Sequence, residues 1–136
     1  MKEVNGKVSA VIVAAGTSTR MGGIDKAFAP LKGQPLLAKV MTVFQDCHSV
    51  DEIVLVLAKK SLEQGRTLVK ERGWSKVVAV CPGGPRRQDS VKEGLRRLVG
   101  CDWVVIHDGA RPCLGIDLIE RGLIAAQKTG AALAGV

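Results

Sequence analysis

Tyrosine is absent from this 136-residue sequence, and with two Trp and two Phe the aromatics amount to 3% of it. Proteins that hold single-stranded nucleic acid stack its bases on such rings, so that class is disfavoured. The four cysteines, Cys47, Cys81, Cys101 and Cys113, form no Cys-x-x-Cys unit and accompany no histidine cluster, which argues against zinc. No apolar run reaches 18 residues and no signal peptide is recognisable, so the chain is expected to be cytoplasmic, reduced and off the membrane, with free thiols. Two common phosphate-binding signatures are missing as well. Gly16 is followed by Thr-Ser-Thr-Arg, so there is no Gly-x-Gly-x-x-Gly, and no Gly-Lys-Ser/Thr occurs anywhere.

What is present is an ordinary share of hydrophobic residues, 46%, and a surplus of positive charge, +7 from 20 basic and 13 acidic residues. The length suits one domain with a real core. The basic residues are scattered and no nucleic-acid recognition motif accompanies them, so the excess favours small anionic ligands over nucleic acid. Apolar runs of strand length, Val8–Ala15, Ile53–Ala58, Val77–Cys81 and Trp103–His107, alternate with helix-length amphipathic segments, Pro35–Asp46, Leu62–Arg72, Gln88–Val99 and Asp117–Thr129. Leu37, Val40, Met41 and Phe44 make one apolar stripe; Val91, Leu95 and Leu98 make another. Ser61 with Gln64 has the spacing of a capping box, and Gly73, Gly100 and Gly130 stand where helices should stop. The alternation predicts a three-layer α/β domain with a mainly parallel sheet and right-handed crossovers, a Rossmann-like architecture. The last residues, Ala-Ala-Leu-Ala-Gly-Val, read as a further strand just beginning. Residues 1–136 are therefore expected to be a nucleotide-binding domain incomplete at its C-terminus.

In an open parallel sheet, ligands bind beyond the carboxyl ends of the strands. Three loops fall there. The first runs from Gly16 to Lys26, where small residues allow backbone N–H groups to approach an anion and Arg20 and Lys26 supply positive charge. The second, Pro82–Ser90, contains Gly83-Gly84, which permits close backbone approach, and Ser90, whose hydroxyl can face a base or sugar or instead cap the following helix. The third, Asp108-Gly109-Ala110-Arg111-Pro112, offers a single carboxylate, which suits Mg²⁺ because that ion shares its remaining ligands with phosphates and water. His107 reads as a structural histidine, and His48 carries no argument.

Taken together, Ala14-Ala15-Gly16, Arg20-Met21, Lys26, then Gly83-Gly84, Arg87, Asp89-Ser90-Val91 and Gly94-Leu95, then His107-Asp108-Gly109-Ala110-Arg111-Pro112 resemble the 2-C-methyl-D-erythritol 4-phosphate cytidylyltransferase family. The first motif is shared by many nucleotidyltransferases; the second and third narrow it. The resemblance implies a fold of the nucleotide-diphospho-sugar-transferase type and a reaction in which a sugar-alcohol phosphate attacks the α-phosphorus of CTP and pyrophosphate leaves. It implies catalytic roles for Arg20 and Lys26. Nucleotide contacts are implied at Ala14, Ala15, Gly16, Ser18, Gly83, Gly84, Pro85, Arg87, Ser90 and Gly109, and Mg²⁺ at Asp108. It also implies a homodimer for the full-length family. Where that family has Pro-Lys-Gln, this chain has Asp25-Lys26-Ala27, an acidic neighbour for the lysine. The alternatives are a ribitol 5-phosphate cytidylyltransferase, another nucleotidyltransferase, or an inactive nucleotide-binding fragment.

Overall fold

Val8–Ala14 forms strand β1, and all seven of its residues are buried, as expected of a strand covered on both faces. Ser9 is tolerated there because its hydroxyl donates to Glu52 Oε1 at 2.7 Å. The computed structural model describes residues 6–15, 20–21, 24–25, 28, 30–31, 33–111 and 115–129. After β1 come four two-residue strands: β2 (Arg20–Met21), β3 (Ile24–Asp25), β4 (Pro30–Leu31) and β5 (Gln34–Pro35). They pair antiparallel as β2 with β3 and β4 with β5. Then follow α1 (Leu36–Asp46), β6 (Glu52–Leu57), a 3₁₀ turn (Lys59–Ser61), α2 (Leu62–Arg72), β7 (Val77–Pro82), α3 (Arg87–Leu95), β8 (Trp103–Asp108) and α4 (Ile116–Thr129).

The main sheet has the order β7-β6-β1-β8, and every pair in it is parallel. Alternate side chains divide its two faces. On one face Ala10, Ile12, Ile53, Leu55 and Leu57 pack with residues of α1, α2 and α4. On the other, Val11, Val13, Val54, Val56 and Cys81 meet Val91 of α3 and Leu98 beyond it. These are the three layers that the alternating pattern predicts. The α1 stripe behaves as read: Leu37, Val40, Met41 and Phe44 are fully buried, each worth about 2 kcal/mol over an exposed position.

Three expectations are corrected. α3 ends at Leu95 rather than Val99, because Arg97 and Leu98 turn back through N–H bonds to Gly94 and Leu95 carbonyls. Its inward stripe also shifts: Gly94 is buried and Leu95 is 40% exposed. A Cβ on Gly94 would stand 3.0 Å from Val56 Cγ2, so the missing side chain sets how closely α3 lies on the sheet. Ser61 makes no side-chain cap to α2, since it closes the preceding 3₁₀ turn instead. Gly73 does terminate α2 in the left-handed conformation, with φ 66°. Gly100 is also left-handed, but in the loop after α3. Gly130 and the C-terminal run lie outside the described residues.

At the lower edge of the sheet two aspartates fasten the start of β1. Asp51 Oδ2 accepts from the Val8 N–H and Asp102 Oδ2 from the Lys7 N–H, each at 2.7 Å. This leaves the opposite, carboxyl edge as the end where loops are free to build a site.

Candidate functional site

Strand order places the site. β6 and β7 lie to one side of β1 and β8 to the other, so the direction of winding reverses between β1 and β8. In open α/β sheets a crevice forms at such a reversal, beyond the strand ends. The four strands end nearly level: Ala14 is in register with Leu57, Leu57 with Pro82, and Val13 with Asp108. The ladder continues one step further, with the Gly83 N–H donating to Leu57 O and the Gly109 N–H to Val13 O, both at 2.9 Å. The loops after β7 and β8 are thereby anchored on the central strands.

Close packing then joins the loops to one another. A Cβ on Gly83 would collide with Ala15 Cβ and Ser90 Oγ, so the second loop lies directly against the end of β1. A Cβ on Gly109 would come within 3.0 Å of both Ala14 Cβ and Leu37 Cδ1. Small residues at 14, 15, 83 and 109 are thus required by contact between chain segments. Ala14 is buried and Ala15 half-buried.

Ser90 is buried and its hydroxyl is engaged locally. The Gly84 N–H donates to Ser90 Oγ at 3.2 Å, and the hydroxyl reaches Gly84 O at 3.5 Å. Neither a cap toward Glu93 nor a hydroxyl presented to the outside is what the geometry displays; Ser90 braces the Gly84 peptide. The start of α3 is capped instead by Asp89, whose Oδ2 accepts from the Arg86 N–H at 3.2 Å and pairs with Arg86 Nε at 3.0 Å. That guanidinium holds the Asp89 carboxyl below the usual carboxylate range. Pro85 and Arg87 are exposed at the mouth of the loop.

Asp108 closes β8. Its Oδ1 accepts from the Ala110 N–H at 2.8 Å, while the Arg111 N–H donates to its backbone carbonyl at 3.2 Å. Among the described residues no donor meets Oδ2. Nor do they contain any group of three or more His, Cys, Asp or Glu able to hold a metal. A lone carboxylate at a strand end, with one oxygen occupied, fits Mg²⁺ completed by phosphate oxygens and water; it does not fit an all-protein zinc site. His107 is buried against Phe44, with ring centroids 5.7 Å apart. Its Nε2 lies 3.2 Å from Arg111 O, and since a carbonyl only accepts, Nε2 carries the proton. Burial pushes the His107 pKa below the ordinary value, against the opposing pull of that carbonyl bond and of Asp108.

Arg20 is placed on β2, cross-strand from Asp25 of β3. The sequence reads as a continuous loop here; the hairpin corrects that, because two-residue strands leave no periodic signal. Gly16, Ser18 and Lys26 lie outside the described residues. A separate groove of about 360 Å³, lined by Phe28, Pro35, Thr67, Leu68, Glu63 and Glu71, sits beside α2. Its two carboxylates make it unsuited to a polyphosphate. No helix among the described residues is long and apolar enough to cross a membrane.

A parallel α/β sheet whose glycine- and alanine-lined loops converge at the winding reversal defines the class: a Rossmann-like α/β domain. Comparison with known proteins narrows the class. Residues 8–136 match the model of the family described as IspD, 2-C-methyl-D-erythritol 4-phosphate cytidylyltransferase, and the chain belongs to that family. It is 54% identical over 133 residues to the 2-C-methyl-D-erythritol 4-phosphate cytidylyltransferase of Dehalococcoides mccartyi strain CBDB1, covering 98% of this chain and 59% of that protein. It is 38% identical to the protein of the same name from Clostridium perfringens strain 13, covering 96% and 59%. Among solved structures, the 4-diphosphocytidyl-2C-methyl-D-erythritol synthase of Anaerococcus prevotii superposes with a TM-score of 0.78 at 28% identity, over 90% of this chain and 51% of that one. The Francisella tularensis cytidylyltransferase superposes at 0.65 and 30% identity, over 90% and 52%. The chain thus spans somewhat over half the length of these relatives.

Proposed function

We propose that this chain is the nucleotide-binding portion of an enzyme that transfers a cytidylyl group from CTP to 2-C-methyl-D-erythritol 4-phosphate. An oxygen of the acceptor phosphate attacks the α-phosphorus of CTP in line. The bond from that phosphorus to the bridging oxygen breaks, and pyrophosphate departs with the electron pair. The attacking phosphate monoester is already anionic near pH 7, so no general base is needed and catalysis reduces to positioning and charge stabilisation.

The observation that carries the reading is the convergence of Ala14-Ala15, Gly83-Gly84 and Asp108-Gly109 at the winding reversal of the sheet, in contact through Gly83 and Gly109. Family membership supplies the chemistry that these loops serve. Ala14, Ala15, Gly16, Ser18 and Gly109 line the triphosphate and ribose. Gly83, Gly84, Pro85 and Arg87 border the cytosine side, with Ser90 holding the Gly84 peptide in place. Arg20 and Lys26 offset the negative charge that redistributes as pyrophosphate leaves. Asp108 would hold Mg²⁺ through Oδ2, and the ion, when bound, would screen phosphate charge. Acceptor recognition, dimerisation and a cytoplasmic setting follow from the same reading of the full-length family.

The test is product formation. With the chain extended to the family's length, CTP and 2-C-methyl-D-erythritol 4-phosphate should yield the cytidine diphosphate adduct and pyrophosphate in equal amounts. Lys26→Ala and Arg20→Lys should each lower turnover by about 10²–10³-fold with little effect on CTP affinity. Near-native turnover with weakened CTP binding in either variant would overturn the roles assigned.

A further inference from the structure

We infer that His107 is a positioning residue whose imidazole pins the Arg111 carbonyl and so fixes the short turn that carries Asp108. The inference rests on the proposed function for what Asp108 binds, but the geometry of the turn stands by itself. Four hydrogen bonds define it. The Gly109 N–H is spent on Val13 O, the Ala110 N–H on Asp108 Oδ1 and the Arg111 N–H on Asp108 O. The fourth, from His107 Nε2 to Arg111 O, is made by a side chain. The first three hold the turn's amides. Among the described residues, the hydrogen bond that ties the Arg111 carbonyl back to the protein interior is the imidazole's.

Position makes this more than core filling. The side chains of Trp103 and Val105 share the β8 face with His107 and pack against the same apolar core. At the third place on that face the imidazole packs against the Phe44 ring and also reaches the Arg111 carbonyl. Losing the imidazole leaves Arg111 O without that donor and loosens the Ala110–Asp108 bond that keeps Oδ1 occupied. The exposed Arg111 side chain, which leaves from the same pinned peptide, would lose its direction too.

The test compares His107→Gln, whose terminal N–H can replace Nε2, with His107→Leu, which packs but cannot donate. Amide hydrogen exchange at Ala110 and Arg111 is measured by NMR on the whole chain without nucleotide, and CTP binding is titrated against Mg²⁺. The leucine variant should exchange about tenfold faster at both amides while β6 amides stay unchanged. It should also need about tenfold more Mg²⁺ for half-maximal CTP binding, while the glutamine variant stays within about threefold of wild type on both readouts. If the leucine variant does not fold, His107→Asn, whose amide is one bond too short, takes its place with the same expectation. Unchanged exchange in the leucine or asparagine variant, or a glutamine variant that behaves like leucine, would overturn the assignment. Absence of CTP binding by the wild type would instead overturn the proposed function, and the exchange measurement would still decide the role of His107.

Discussion

Replacing Gly83 by alanine puts a methyl group where two side chains already stand. An ideal Cβ at this position collides with Ala15 Cβ and Ser90 Oγ and lies 3.1 Å from Ser90 Cβ. None of these is the free end of a flexible chain: Ala15 directly follows β1, and Ser90 is a buried residue in the first turn of α3. Relief requires the β7 loop to move away from β1, or Ser90 to rotate and release the Gly84 N–H. Overpacking of this kind costs about 1–3 kcal/mol, and losing the hydroxyl bond costs about 1 kcal/mol. Partial relaxation makes the two costs alternatives more than a sum, so the expected destabilisation is about 2 kcal/mol, or a fall in melting temperature of about 4–8 °C. Because the moved loop is one wall of the proposed nucleotide site, CTP affinity should fall at least about tenfold. Differential scanning calorimetry and isothermal titration calorimetry read the two effects. A variant with native melting temperature and native CTP affinity would refute the contact between these loops and the site built on it.

Gly122 supplies the opposite case: a Cβ there meets nothing within 4 Å, in the middle of α4, so Gly122→Ala should raise stability by about 0.5–1 kcal/mol in thermal or urea unfolding. Cys47 and Cys81 are buried, and burial pushes both thiols up; alkylation of the native chain should reach half-buried Cys101 well before either, and denatured protein should titrate four free thiols. For His107 the native pKa lies below its ordinary value of 6.5, so below that pH the unfolded chain takes up a proton that the native chain resists. Stability should therefore be full above about pH 6.5 and decline as pH falls through the window beneath it, and His107→Gln should remove that part of the pH dependence in urea titrations.

How far the sequence determined this picture can be seen element by element. The four main strands and α1, α2 and α4 lie within one residue of their expected bounds, because buried parallel strands leave unbroken apolar runs and α1 shows its stripe directly. The α3 boundary failed because Leu95 and Leu98 continue a helical spacing that the chain abandons after Leu95; close packing at Gly94 leaves no apolar signal to reveal which face turns inward. The hairpin bearing Arg20 was invisible because two-residue strands have no period. The orientation of Ser90 was not legible, since a hydroxyl can face outward or brace its own loop and the position of Gly84 decides. His107 read as structural; its link to Arg111 joins residues four apart, a spacing that carries meaning in a helix but is silent in a strand followed by a turn.

The central claim is that the Ala15, Gly83 and Asp108 loops form one site for a cytidine triphosphate. Calorimetric titration of this chain with CTP, UTP, ATP and GTP, each with and without Mg²⁺, tests it most directly. The account predicts that CTP binds at least about tenfold more tightly than the other three, that Mg²⁺ strengthens its binding, and that Asp108→Asn removes the metal effect. Equal affinity for all four nucleotides, or CTP binding indifferent to both Mg²⁺ and Asp108→Asn, would contradict it.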